Sequence, residues 1–280
     1  MKKSSPGRFA RRPSALPLAF AFVMIFAAIQ GCHQSGGAGS DSANKGPSKE
    51  EILPNADKSY YYLHSRGLQS FRCTVQLSTS QSDGDQSKLA QLDKSRYSVV
   101  VDDQGTATVT PILARGKPAD HSADDTVSAG QQLVEAFFQM WDSLVFTGMF
   151  TGSDDEKKMM PWEQPDGFHY SGSFGDGSRE FVLTKDSLLT KMELKSEGST
   201  MVMQPKFAKT DGGLWLLTEM DSDKTVEGDI TDEEEKLSVQ IQYQPLQGFQ
   251  LPAHVEDQLA LSNGAVTIGM NFTDYHLTKQ

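Results

Sequence analysis

The stretch that decides the fold is "GFQLPAHVEDQLALSNGAVTIGMNFTDYHL", residues 248–277. Residues 253–261 and 266–276 each have the composition of a β-strand, and the turn sequence "SNG" lies between them. A connection this short joins neighbouring strands that run in opposite directions. The stretch therefore predicts an antiparallel hairpin at the end of a β-rich region.

Six runs upstream share this strand-and-turn pattern. They are residues 168–174, 180–184, 188–195, 200–208, 213–221 and 236–243. The turns between them include "GDGS", "SEGS" and "KTDGG", and the pattern repeats about every ten residues. Apolar residues occupy alternate positions at Met201 and Met203, and again from Leu237 to Tyr243. This spacing indicates an antiparallel meander rather than alternating strands and helices.

The region before this meander predicts one short helix and three strands. Residues 56–68 have helical spacing and end at Gly67. Residues 96–113 predict two strands around the turn sequence "DDQG", and residues 70–79 predict a further strand. One face of that strand carries Phe71, Cys73, Val75 and Leu77. We therefore expect Cys73 to be a buried, unreactive side chain that packs like a small apolar residue.

A long amphipathic helix is predicted over residues 128–147, with Ser128 as its N-cap and Gly148 after its end. Its apolar stripe consists of Leu133, Val134, Phe137, Phe138, Trp141, Leu144 and Val145. A helix of this length extends about 30 Å, which is enough to cross a sheet. We expect an α+β fold, mainly antiparallel β, in which this helix covers one face of the sheet.

The N-terminal residues have the features of a targeting signal. Five basic residues and no acidic residue precede the apolar run Leu18–Ile29, which is too short to span a bilayer. Residues 33–50 are rich in Ser, Gly, Asn and Lys, so they have little that could pack in a core. The predicted organisation is a signal peptide over residues 1–31, a flexible tether over 32–53 and one domain over 54–280.

The charge of the chain excludes one class of partner. The 280 residues carry a formal net charge of −11. Removing residues 1–31 takes away five basic residues, leaving 21 basic residues against 37 acidic ones and a net charge of −16. A domain this acidic repels phosphate backbones and anionic lipid headgroups. We therefore expect no nucleic-acid partner, and any membrane attachment must come from an anchor.

The sequence "IQGC", Ile29 to Cys32, resembles the lipobox of bacterial lipoproteins. The resemblance implies cleavage before Cys32 and lipidation of that residue, which would hold the protein on a membrane. His33 stands where that family has Asp as an inner-membrane retention signal, so the periplasmic face of the outer membrane is favoured. The alternative is an ordinary secretory signal that contains a cysteine by chance.

The order of elements and the closing hairpin resemble the LolA/LolB family of periplasmic lipoprotein carriers and their outer-membrane receptor. The residues that match the family's ending are Gly248, Leu251, Pro252, Ile268, Phe272, Asp274 and Tyr275. The resemblance implies an incomplete β-barrel, a strongly curved meander sheet with the long helix on its concave face. It also implies an apolar cavity that accepts acyl chains.

The sequence shows no pattern of an enzyme. It contains no G-x-S-x-G, H-E-x-x-H, C-x-x-C or P-loop sequence. Its six histidines are scattered without the spacing of metal ligands. The acidic run Asp221–Glu235 has Val226 at the position where a calcium loop requires glycine. We expect no catalytic residue, no cofactor and no metal ion.

Two hypotheses for function remain open. In the first, a monomeric, lipid-anchored domain binds an acyl chain or a lipoprotein in an apolar cavity. The candidate cavity residues are Phe137, Phe138, Trp141, Val145, Met201 and Met203. In the second, the protein is a structural or interaction lipoprotein of the cell envelope, and its own helix fills the core so that no ligand binds.

Overall fold

The described part of the chain, in a computed structural model, comprises residues 49–81, 92–112, 121–149, 160–174, 177–196, 198–226, 235–261 and 264–280. The predicted signal peptide, Cys32 and most of the predicted tether lie outside these residues, as does most of the acidic run. In the part that the structure describes, no helix combines the length and the apolar character needed to cross a bilayer.

The described elements are two helices, two short helical turns and twelve strands. The helices are α1 (Lys49–Ser59) and α2 (His121–Trp141), with a 3₁₀ turn at His64–Arg66 and a π-helical turn at Asp142–Phe146. The strands are β1 (Leu68–Gln81), β2 (Arg96–Val101), β3 (Ala107–Pro111), β4 (Met160–Gln164), β5 (Gly167–Phe174), β6 (Gly177–Leu183), β7 (Leu189–Ser196), β8 (Ser199–Lys209), β9 (Trp215–Val226), β10 (Glu235–Leu246), β11 (Phe249–Leu261) and β12 (Gly264–Lys279).

All twelve described strands form one sheet, in the order β3-β2-β1-β12-β11-β10-β9-β8-β7-β6-β5-β4. The neighbours are antiparallel, as the hairpin spacing predicted. A twisted sheet of more than about ten strands curls. Among the described residues β3 and β4 are the two edges and do not pair with each other, so the curved sheet is unclosed.

The strand predictions are confirmed from residue 167 onward, and one strand was missed. β4 contains the sequence "MPWEQ", which the sequence pattern assigned to a loop. Its proline and its exposed Glu163 and Gln164 hide the alternation of a strand. The proline and the exposed polar side chains are compatible with an edge strand, because β4 pairs only with β5 in the described sheet and needs no second row of hydrogen bonds.

The first helix lies earlier in the chain than the sequence predicted. α1 begins at Lys49 and ends at Ser59, so it includes residues 49–53 of the predicted tether and none of the residues after 59. Ile52 and Ala56, four residues apart, are buried and hold it against the core. The chain then leaves the helix because Tyr61 N donates to the carbonyl of Trp215 over 2.8 Å.

The long helix also begins before its predicted start. α2 starts at His121, seven residues ahead of Ser128, which is therefore inside the helix and not its N-cap. The predicted end of the helix at residue 147 agrees within one residue with the structure, where the π-helical turn ends at Phe146. Gly148 follows with a φ of 105°.

One face of the sheet carries most of the buried side chains, and we call it the buried face. On β1 it presents Phe71, Cys73, Val75 and Leu77. Cys73 is buried as predicted, and burial raises the pKa of its thiol to about 12. The thiol is therefore uncharged at neutral pH, and it contributes packing rather than nucleophilic chemistry.

Candidate functional site

The aromatic side chains of α2 pack on two neighbouring strands. Phe137 and Phe138 lie 5.6 and 6.0 Å, between ring centroids, from Phe272 of β12. Trp141 lies 6.1 Å from Phe71 of β1 in an edge-to-face arrangement. We call these five residues the aromatic seam. All five are buried, so three of the predicted cavity residues are in contact with the sheet.

A glycine fixes how closely α2 approaches the sheet. A Cβ atom at Gly130 would lie 2.1 Å from the hydroxyl oxygen of Tyr97 on β2. That hydroxyl donates a hydrogen bond to the carbonyl of Val127 over 3.1 Å. The helix is therefore pinned to β2 near its first half and to β1 and β12 at the aromatic seam.

Polar atoms surround the C-terminal end of α2. Trp141 Nε1 donates to the hydroxyl of Tyr243 on β10, and the hydroxyl of Tyr275 donates to the carbonyl of Pro252 over 2.8 Å. Asp274 has a φ of 55° at an irregularity in the β1–β12 pairing. The residues Pro252, Asp274 and Tyr275, quoted for the family resemblance, thus have local structural roles here.

Val145 lies in the π-helical turn and is fully buried. Its carbonyl accepts a hydrogen bond from Leu63 N over 2.9 Å. In the same turn Asp142 accepts from the Thr147 hydroxyl over 3.3 Å. Burial raises the pKa of Asp142 to about 7, and the neighbouring Asp102 adds to the rise. This turn therefore connects the helix to the segment before β1.

The predicted methionines lie in another part of the buried face, on β8. Met203 is buried and pairs directly with Met192 of β7, whereas Met201 is half-buried and pairs with Leu194. Met220 of β9 is buried next to this pair of strands. We call Met192, Met203 and Met220 the methionine cluster. Alternation in the sequence identified Met203 as a candidate, whereas the positions of Met192 and Met220 near it follow only from the strand register.

A cross-strand row on the buried face contains a carboxylate. Successive partners along the row are Pro205, Met220, Val239, Asp257, Ile268 and Thr79. Asp257 is 5 % exposed, and among the described residues its Oδ1 has no hydrogen-bond partner. Burial raises its pKa to about 7. The sequence carried a signal, since alternation in "HVEDQLAL" puts this Asp in line with Val255 and Leu259.

The six predicted cavity residues thus fall into two regions. Phe137, Phe138 and Trp141 belong to the aromatic seam, and Val145 lies just beyond it. Met201 and Met203 lie on β8, four strands from β12 in the sheet order. Both regions belong to one continuous apolar core. Whether these residues line a ligand cavity stays a prediction.

The described residues contain no group of three or more His, Cys, Asp or Glu side chains placed to hold a metal ion. A polar cluster lies on β5, β6 and the turn before β5, where His169 contacts Asp166 through Nε2 and Glu180 through Nδ1, both over 2.8 Å. Burial alone would lower the pKa of His169, but the two carboxylates outweigh it and raise the pKa. Both ring nitrogens are occupied, so this histidine is held as a structural link.

Comparison with known proteins gives structural likenesses but no family. No protein-family model matches the chain, and no curated protein matches it. Among solved structures the chain is similar to a LolA superfamily protein from Nitrosomonas europaea, with 12 % identity and a TM-score of 0.32. The match covers 84 % of this chain and 95 % of that one.

Proposed function

We propose that this protein is a lipid-anchored protein of the cell envelope whose β domain binds an acyl chain, either free or as part of a lipoprotein. Cys32 carries the anchor, residues 33–48 connect it to the fold, and the domain works as a monomer on the periplasmic face of the outer membrane. α2 covers the concave side of the sheet. The domain binds its ligand without transforming it.

The methionine cluster is the observation that carries the proposal. Met192 pairs with Met203 on the buried face, and Met201 is half-buried two residues from Met203. Met220 is buried on the next strand, two residues from the position that pairs with Met203. Unbranched thioether side chains adapt their shape to an apolar ligand, and they recur at binding surfaces that accept varied partners. The adjacent strands supply apolar area, and burial of an acyl chain against it gains about 25 cal/mol per Å².

The unclosed sheet also supports binding. β3 and β4 end the described sheet without pairing to each other, so the edges are free to move apart without loss of sheet hydrogen bonds. An acyl chain could then enter between the sheet and α2.

Native mass spectrometry and an acyl probe test the proposal. The full chain with Cys32→Ala, which cannot be lipidated at that position, is purified and examined for bound lipid. It is then titrated with a dansyl-labelled undecanoic acid. We expect co-purifying lipid or saturable binding of the probe. Absence of both overturns the proposed function.

A pair of substitutions on β8 locates the site. Met203→Trp fills space on the buried face, and we expect it to weaken probe binding about tenfold or more. Gln204→Trp adds the same side chain at the next residue, which is exposed on the opposite face, and should leave binding unchanged. Circular dichroism checks that both variants fold. Equal effects of the two substitutions would argue against a site at Met203.

A second candidate function is a structural envelope lipoprotein with a self-filled core. The aromatic seam favours it, because Phe137, Phe138 and Trp141 already pack on Phe71 and Phe272 and are buried without a ligand. Under this alternative the Cys32→Ala protein carries no lipid and does not bind the dansyl probe. The same titration therefore separates the two functions.

A further inference from the structure

A single carboxylate interrupts the apolar buried face in the middle of the sheet. Asp257 of β11 pairs with Val239 on one side and with Ile268 on the other. Two residues away in its own strand are Val255, which is buried, and Leu259, which is half-buried. Every one of these four neighbours is aliphatic. The carboxylate therefore faces the same side of the sheet as the methionine cluster.

Among the residues that the structure describes, none donates a hydrogen bond to Oδ1 of Asp257. The residue is 5 % exposed. Burying a carboxyl without a partner costs free energy, and nearly all buried polar side-chain atoms are paired. Ile268 and Val239 show that aliphatic residues fit this row. A carboxyl that is unpaired among the described residues is therefore available to a donor group on a ligand.

The surroundings restrict which donor fits. An ammonium group would have to lose its own hydration to reach an apolar face, which costs several kcal/mol. A neutral N–H group costs less to desolvate and pairs well with a carboxyl oxygen. Apolar side chains on all sides require that the rest of the ligand be apolar. These conditions together describe an acyl chain that ends in an amide.

We propose that Asp257 binds the amide N–H of an N-acyl ligand whose chain lies on the buried face between Val239 and Ile268. This inference rests on the proposed function and narrows its ligand class. It makes Asp257 a specificity-determining residue, because an ester-linked chain of the same length has no N–H to offer. The carboxyl then selects amide-linked over ester-linked acyl chains.

Two matched probes test this inference in the full-length Cys32→Ala protein. N-methyldodecanamide and methyl dodecanoate have the same chain and differ only in the N–H or O next to the carbonyl. Each is used to displace the dansyl probe. We expect the protein to prefer the amide by about tenfold. Asp257→Leu should abolish the preference for the amide while keeping the affinity for the ester. Asp257→Asn should keep the preference for the amide, because its side-chain carbonyl oxygen can still accept the N–H.

Glu256→Leu is the matched control, since it removes a carboxylate from the opposite face of the same strand and should leave the preference unchanged. If the protein with Asp257 in place binds both probes with equal affinity, this inference is overturned and the proposed function still stands. Equal affinity is the result expected if a buried water forms the hydrogen bond to the carboxyl. A preference that persists in Asp257→Leu also overturns it. Failure of both probes to displace a bound dansyl probe overturns this inference alone, whereas absence of dansyl binding and of co-purifying lipid overturns the proposed function.

Discussion

The indole nitrogen of Trp141 donates a hydrogen bond to the hydroxyl oxygen of Tyr243 over 3.3 Å. The ring of the same tryptophan packs on Phe71 of β1, and Tyr243 belongs to β10, three strands away in the sheet. The Trp141 side chain thus links the end of α2 to β1 and to β10. Burial raises the pKa of Tyr243, so its hydroxyl stays protonated and accepts this bond as a neutral group.

A double-mutant cycle measures this link. Trp141→Phe and Tyr243→Phe each remove one partner, and we expect each to lower the free energy of unfolding by about 1 to 2 kcal/mol. The double variant should lose less than the sum, with a coupling of about 0.5 to 1.5 kcal/mol. Urea unfolding followed by circular dichroism gives the three values. Strict additivity would mean that the hydrogen bond contributes nothing to stability.

Stability should fall as pH rises through neutrality. Burial raises the pKa of Asp257 from its ordinary 3.8 to about 7, so the folded state binds more protons than the unfolded state between these values. The free energy of unfolding therefore decreases from about pH 4 to pH 7, by up to about 1.4 kcal/mol per pH unit for this group. We expect a lower urea midpoint at pH 8 than at pH 5.

Substitution identifies the group behind this dependence. Asp257→Asn should show a smaller loss of stability between pH 5 and pH 8, whereas Glu256→Gln on the opposite face should behave as the unsubstituted chain. Asp142, whose pKa is also raised to about 7, adds to the loss with the same sign, so part of the dependence remains in Asp257→Asn. A profile unchanged by Asp257→Asn would contradict the prediction.

The histidine on β5 should titrate above its ordinary range. His169 contacts Asp166 and Glu180 over 2.8 Å each, and these carboxylates raise its pKa above 6.5. We expect Asp166→Asn to lower that pKa, measured from the ring resonances in an NMR titration. Glu163→Gln is the control, because Glu163 is exposed and pairs with Lys185 over 3.5 Å instead. The prediction is wrong if Asp166→Asn leaves the pKa of His169 where it was.

The two cysteines should behave in opposite ways. Cys32→Ala should move the protein from the membrane fraction to the soluble fraction, because the proposed anchor is lost. Cys73→Ala should leave it in the membrane fraction. In folded Cys32→Ala protein the single remaining thiol should resist Ellman's reagent and react only after unfolding, since burial raises the pKa of Cys73 to about 12. Persistent membrane attachment of Cys32→Ala would refute lipidation.

The antiparallel sheet follows from local sequence signals. Turn sequences such as "SNG" and alternation from Leu237 to Tyr243 depend on neighbouring residues, so they are visible without the structure. The start of α1 was misjudged because the polar composition of Lys49 to Glu51 resembles a tether, while its anchors are the buried side chains of Ile52 and Ala56. A local sequence pattern does not show which side chains will be buried against elements that are distant in the chain.

The candidate site was predicted less well than the fold, for the same reason. The stripe of α2 predicted the buried positions of Phe137, Phe138 and Trp141, but not that Phe71 and Phe272 would meet them. Those contacts depend on the pairing of β1 with β12, which are far apart in the chain. The row around Asp257 also depends on the strand register. Alternation in the sequence predicts which face of the sheet Asp257 occupies, but it does not predict the neighbouring residues on other strands.

The position of β12 has a consequence for how the chain reaches its folded state. It follows all the other described strands in the chain, yet it lies between β1 and β11 in the sheet. The early strands β1–β3 therefore join the meander β4–β11 only when these 16 residues have been synthesised. Pairing between distant segments forms slowly, because loop closure must precede it. The hairpins of β4–β11 pair strands that are neighbours in the chain and do not depend on β12. We therefore expect docking of β12 between β1 and β11 to be the slow, last step of folding.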